Sequence, residues 1–181
     1  IRTMSAKDRR TDITERINTT IRGARLDDFT TSDDLATGEC RFNFCFAAPR
    51  FAQMMAGGLA VVRLDVLSRD AVPAFPAKER KLPISLEPLL QRDEVTLQLP
   101  GGFVVDELPD RAELNSPYGH YESSYAVAAG AVISRRVLQI EDRTVPVAEY
   151  AALKKFLIEV AKADHSSVVL RQGEAALAPV K

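Results

Sequence analysis

Residues 95–140 read VTLQLPGGFVVDELPDRAELNSPYGHYESSYAVAAGAVISRRVLQI, and the reading of this stretch decides the fold. Val95, Leu97 and Leu99 alternate with Thr96, Gln98 and Pro100, the period of a strand with one buried face. Pro100-Gly101-Gly102 marks a turn, because glycine accepts positive φ and proline fixes its own. Phe103–Val105 is a second, short strand. Leu108-Pro109-Asp110 and Tyr118-Gly119-His120 are further turns. Two longer strands, Tyr121–Val127 and Ala131–Ile140, flank the tip Ala128-Ala129-Gly130. The pattern predicts an antiparallel meander.

Upstream, Ser5–Arg22 is expected to be a helix. Ser5 and Asp8 sit at the spacing of a capping box, and Ile13, Ile17 and Ile21 form a narrow apolar stripe at four-residue spacing. Gly23 is placed to end it in the left-handed conformation. A strand is the rival reading, since all three isoleucines are odd-numbered and β-branched. Arg25–Thr30 reads as a short strand and Thr31–Asp34 as a polar loop. Glu39–Ala47 alternates Cys40, Phe42, Phe44 and Phe46 with Arg41, Asn43 and Cys45, so its aromatic face is expected in a core. Phe51–Met55 is a brief turn of helix or a connector, closed by Gly57-Gly58, and Leu59–Leu67 is a strand. Pro73 and Pro76 break regular structure, and Leu82–Leu86 reads as an edge strand.

Downstream, Pro146–Ala163 is a helix with proline in its first turn, Glu149 near its positive end and Lys162 near its negative end. Tyr150, Leu153, Phe156, Leu157 and Val160 make a stripe suited to packing on a sheet. Ser166–Leu170 is a last strand, and Gly173–Lys181 a frayed tail. The expected fold is α+β: a mainly antiparallel β-sandwich with an N-terminal and a C-terminal flanking helix. The 181 residues are read as a single module, which at this size buries roughly 70% of its unfolded surface without needing staples.

Charge and composition exclude more than they assign. With 24 basic and 25 acidic residues, no global field draws nucleic acid or an anionic membrane. No apolar run approaches the roughly 20 residues that cross a bilayer, so no membrane insertion is expected. Cys40 and Cys45, five apart in one strand, fall on opposite faces roughly 16 Å apart. A disulfide needs Cα atoms within about 7 Å, so the two are not expected to bond each other. Neither cysteine lies at a helix N-terminus or beside a histidine, the usual settings of a nucleophilic thiol. His120 and His165 lack a second ligand at metal spacing, so no metal or cofactor is expected. Gly57-Gly58 and Gly101-Gly102 lack the phosphate-cradling patterns. Asp106, Glu107 and Asp110 read as a solvated acidic turn. Tyr118, Tyr121 and Tyr125 are the candidate binding residues, as an aromatic platform for a cell-envelope glycan or peptide. Packing in a core or across strands is the alternative. Phe51, Met54 and Met55 are the candidate interdomain contact, since methionine is adaptable and common at contact surfaces.

Several segments together resemble one family. They are Phe44–Ala52, an aromatic strand followed by proline and an aromatic-Ala pair; Arg80-Lys81-Leu82-Pro83-Ile84; Leu99–Phe103 with Val105–Pro109; Arg135–Leu138 followed by Pro146 and Tyr150–Phe156; and Val168-Val169-Leu170. The family is the β-rich module at the C-terminal end of large bacterial proteins that carry an N-terminal domain of unknown function and then a transglutaminase-like core. Phe103 stands where the family often has tyrosine. The resemblance implies a non-catalytic accessory module whose partner is the adjacent transglutaminase-like core. The catalytic triad would lie in that core, so no catalytic residue carries over. It also implies a periplasmic or cell-envelope setting. The initial Ile1 in place of methionine fits the expectation of a fragment.

Overall fold

The computed structural model describes residues 4–65 and 75–173. The expected breaker Pro73, the end of the Leu59–Leu67 strand and the tail after Gly173 lie outside them. The chain forms two compact units, one ending at Phe51 and one beginning at Ala52.

The first unit is a helix and a hairpin. Helix α1 spans Ala6–Thr20, within a residue or two of expectation. Ser5 caps it by accepting from the Asp8 amide at 3.2 Å, while its hydroxyl donates to the Asp8 carboxylate at 2.7 Å. Ile13, Ile17 and Ile21 are all buried, so the helical phase prevails over the strand phase. Gly23 has φ +79°. Strands β1 (Arg25–Asp33) and β2 (Cys40–Ala47) pair antiparallel, with a bulge between Leu26 and Asp28. β1 thus continues through residues expected as loop. Arg10 donates to the Leu26 carbonyl at 2.9 Å, tying the helix to the bulge. The expected aromatic face exists, but Phe42, Phe44 and Phe46 are only half-buried. A two-stranded ribbon has too little surface to enclose three rings.

The second unit holds the remaining strands: β3 (Gln53–Met54), β4 (Leu59–Val62), β5 (Ile84–Leu86), β6 (Leu89–Gln98), β7 (Phe103–Glu107), β8 (Ala112–Ser116), β9 (Gly119–Ala128), β10 (Ala131–Ile140), β11 (Arg143–Val145) and β12 (Val168–Gln172). Two four-stranded sheets form, in the orders β6-β10-β9-β8 and β3-β4-β12-β7, and β5 pairs with β11. Every described pairing is antiparallel.

The β9–β10 hairpin is the part nearest to expectation. Ala129 (φ +49°) and Gly130 (φ +75°) make its two-residue tip, with the paired left-handed residues whose twist matches flanking strands. Gly119 opens β9 where the backbone of Gln139 crosses closely. A Cβ there would lie 2.1 Å from the Gln139 carbonyl oxygen, so only glycine fits.

The meander reading needs two corrections. β6 does not pair with β7 across Pro100-Gly101-Gly102; it pairs with β10, and β7 joins β12 in the other sheet. The turn therefore hands the chain between sheets. β3, β8 and β11, unrecognised in the sequence, complete three pairings. The strand beginning at Leu59 ends at Val62, before the expected Leu67.

Helix α2 (Tyr150–Asp164) follows a short 3₁₀ turn at Val147–Glu149. Its stripe of Tyr150, Leu153, Phe156, Leu157 and Val160 is buried in one cluster with Tyr118, Tyr121, Leu138, Ile140, Ile84, Leu86 and Val145. The helix thus covers the β8-β9-β10 side of its sheet. On the other sheet Ala60, Val62, Val168 and Leu170 line one buried face.

Candidate functional site

The best-built polar constellation of the second unit lies where the C-terminal end of α2 meets β6, β9 and β10. Along β10 the even-numbered positions Val132, Ser134, Arg136, Leu138 and Ile140 face inward. Arg136 is thus carried into the interior by strand period alone, and it is 6% exposed. Along α2, Asp164 continues the series Leu153, Leu157, Val160 at helical spacing and is 7% exposed. A carboxylate at a helix C-terminus meets the negative end of the macrodipole, and a buried one also loses its hydration. It persists there because a cation meets it.

That cation is Arg136. Its Nε donates to Asp164 Oδ1 at 2.6 Å and its Nη2 to Asp164 Oδ2 at 2.9 Å, a fork-on-fork pair. Its Nη1 donates to Asp93 on β6 at 3.0 Å. The Tyr121 hydroxyl donates to Asp164 Oδ1 at 2.7 Å, and the guanidinium lies 5.5 Å from the centre of the Tyr121 ring. Burial works against the Arg136 charge, but Asp164 and then Asp93 outweigh it and hold the guanidinium above its ordinary value. Burial pushes the Tyr121 phenol up, with a hydrogen bond from Ser123 opposing and Asp164 reinforcing. The Tyr125 phenol is likewise pushed up by burial, against a hydrogen bond from Ser134. All three guanidinium nitrogens are committed to carboxylates, so the centre ties helix to sheet and offers no open anion-binding fork.

The three tyrosines do not form an exposed platform, which corrects that expectation. Tyr118 is 4% and Tyr121 1% exposed, and a stacking surface needs an open ring face. Only Tyr125 is half-buried. The Tyr118 hydroxyl reaches Glu149 Oε2 at 3.2 Å, under an Arg143 guanidinium 5.5 Å from its ring centre. Arg143 in turn pairs with Glu149 at 2.8 Å. These contacts fasten the entry of α2.

Phe51 is half-buried and meets Phe46 edge-on at 6.1 Å. Met54 and Met55 are more than half exposed. Both cysteines are free thiols, Cys40 half-buried and Cys45 exposed. His120 Nδ1 lies 2.8 Å from Asn115 Oδ1, and His165 caps α2 with its ring against the Ala161 carbonyl. Among the described residues no group of three or more His, Cys, Asp or Glu is placed to hold a metal, and no helix is long and apolar enough to cross a membrane.

The sequence reading missed Arg136 and Asp164 as a pair. The signal was present: each is a charge in phase with a buried apolar row. Their separation of 28 residues hid the partnership.

Residues 63–170, well over half of the chain, match a family described as a domain of unknown function with solved-structure structure, DUF3858. The chain belongs to this family. The match spans Arg136, Asp93, Tyr121 and Asp164, so the buried centre lies within the DUF3858 region. The DUF3858 chain also resembles a solved structure described as a "putative protease" from Parabacteroides distasonis ATCC 8503, with a TM-score of 0.52 and 13% identity. The likeness covers 64% of this chain and 24% of that one, so it spans about a quarter of the longer protein. At this identity the likeness shows shared fold. No curated protein matches the chain.

Proposed function

We propose that this DUF3858 chain is a non-catalytic accessory module of a larger protein with a transglutaminase-like core, and that it docks against that core. The observation that carries the reading is one of proportion. The same fold occupies 24% of a longer chain, the remainder of which has room for other domains. The construction of the buried centre agrees with a structural part. Its guanidinium is closed off by the chain's own carboxylates. The cavity beside it measures about 20 Å³, far below the roughly 300 Å³ of a small-molecule site.

Phe51, Met54 and Met55 are the contact residues in this reading. Met54, within the two-residue edge strand β3, and Met55, next to it, present large apolar surface to solvent, an arrangement costly in isolation and useful against a neighbour. Hydrogen exchange over residues 50–58 tests the docking. We expect added protection in the full-length parent relative to the isolated chain. Equal exchange in both rejects this contact surface.

A further inference from the structure

Ser123 and Ser134 are the small members of an otherwise bulky inward row that includes Tyr121, Val132, Arg136 and Leu138. They sit on adjacent strands, one inward step apart: Ser123 stands opposite Arg136 and Ser134 opposite Tyr125. A hydroxymethyl where neighbours carry long side chains leaves a gap. Leu64 and Asp65, in the segment after β4, together with Val95 of β6, complete its wall. The gap measures about 20 Å³. A single water needs about 10–15 Å³ measured in this way, plus two to four polar partners.

The partners are of complementary kinds. Carboxylates of Asp93 and Asp164 accept only, the Arg136 guanidinium donates only, and the hydroxyls of Ser123, Ser134 and Tyr125 do both. We propose that this cavity binds one ordered water molecule, held between the hydroxyls of β9 and β10 and the carboxylates of the Arg136 centre. Size excludes an organic ligand. Arg136 offsets only one of the two charges of Asp164 and Asp93, and Asp65 pairs with Arg63 at 3.0 Å, so one negative charge is left over and a cation is the rival occupant. The water links β9 and β10 to the carboxylates of β6 and of the end of α2, beside the segment leaving β4. The ion pair is therefore hydrated at its core rather than dry.

Two measurements on the full chain test this. A crystal structure should show one spherical density peak in the cavity, within hydrogen-bond distance of at least one of the three hydroxyls. An empty cavity overturns the proposal. So does an anomalous peak there after a rubidium soak, which would mark a cation. In solution, oxygen-17 relaxation dispersion counts long-lived internal waters. Ser134→Thr keeps the hydroxyl and adds a methyl group to the gap, so it should lower the count by one. An unchanged count in a folded Ser134→Thr variant also overturns the proposal, and the crystal measurement decides the matter should that variant not fold.

Discussion

The two helices are each 15 residues long, yet they are secured by different means. α2 lays five large apolar residues into a cluster shared with a four-stranded sheet, and ends on a buried ion pair. α1 buries three isoleucines, and its polar ties to β1 include Arg9 to Thr31 and Arg10 to Leu26. One helix is held by the interior of a sheet, the other by a ribbon whose phenylalanines stay half-exposed. Helix length says little about how firmly a helix is held; the extent of the surface it covers says more.

The strongest test of the contrast is removal of the α2 anchor. Arg136→Ala leaves Asp164 and the Tyr121 hydroxyl buried at the negative end of a helix. We expect a loss of about 3–5 kcal/mol in urea unfolding. A loss below about 1 kcal/mol would mean that water reaches the carboxylate freely and that the anchor is ornamental.

Apolar truncation comes next and compares the helices directly. Leu157→Ala removes a side chain enclosed on a broad sheet and should cost about 2–5 kcal/mol. Ile17→Ala in α1 should fall at the low end of that range, because a ribbon relaxes into a gap more readily than a four-stranded sheet. Equal losses would erase the distinction. A change within about 0.5 kcal/mol for Leu157→Ala would remove the helix from the sheet altogether.

The smallest effect is an alkaline one, at the Tyr121 phenol of β9 that donates to Asp164 of α2. Tyr121 is held neutral by its surroundings, so the folded chain keeps that proton to higher pH than the unfolded chain, whose phenols titrate near about 10. The folded pKa is the raised one. The group's stabilisation is therefore complete below about pH 10 and declines as pH rises past it, by at most about 1.4 kcal/mol per pH unit. Tyr121→Phe should make that decline shallower in urea midpoints taken between about pH 8 and 11, the raised Tyr118 and Tyr125 phenols supplying what remains. A parallel decline in both proteins would show that the phenol is not held neutral.

The sequence was most legible where local signals and tertiary packing agree. The β9–β10 hairpin has alternation, length and a tip of suitable residues, and the stripe of α2 is buried as its period requires. Legibility failed where a local signal had two meanings. Pro100-Gly101-Gly102 looks like a hairpin turn, but a turn does not state which strand its exit will pair with. The five residues of β8, Ala112–Ser116, lie between Pro109 and Pro117, where turn chemistry masks a short alternation. Arg136 and Asp164 failed for another reason. Each is readable as an inward charge, but only three-dimensional proximity shows that they answer one another. The tyrosines show the converse: Tyr121 and Tyr125 share a strand face, and period cannot tell whether that face looks toward solvent or toward a helix.

The order of the second sheet, β3-β4-β12-β7, has a consequence for how the protein is made. Its inner strand β12 is the last described strand to leave the ribosome, and it pairs Val168 with Val62 on one side and Leu170 with Val105 on the other. Until Gln172 has emerged, β4 and β7 are adjacent to a strand that does not yet exist. Completion of this sheet therefore waits for the most distant of its strands, with a high contact order and the slow closure that goes with it. A nascent chain halted before Val168 would carry two apolar strands in search of a partner, the form in which such chains seek the wrong one.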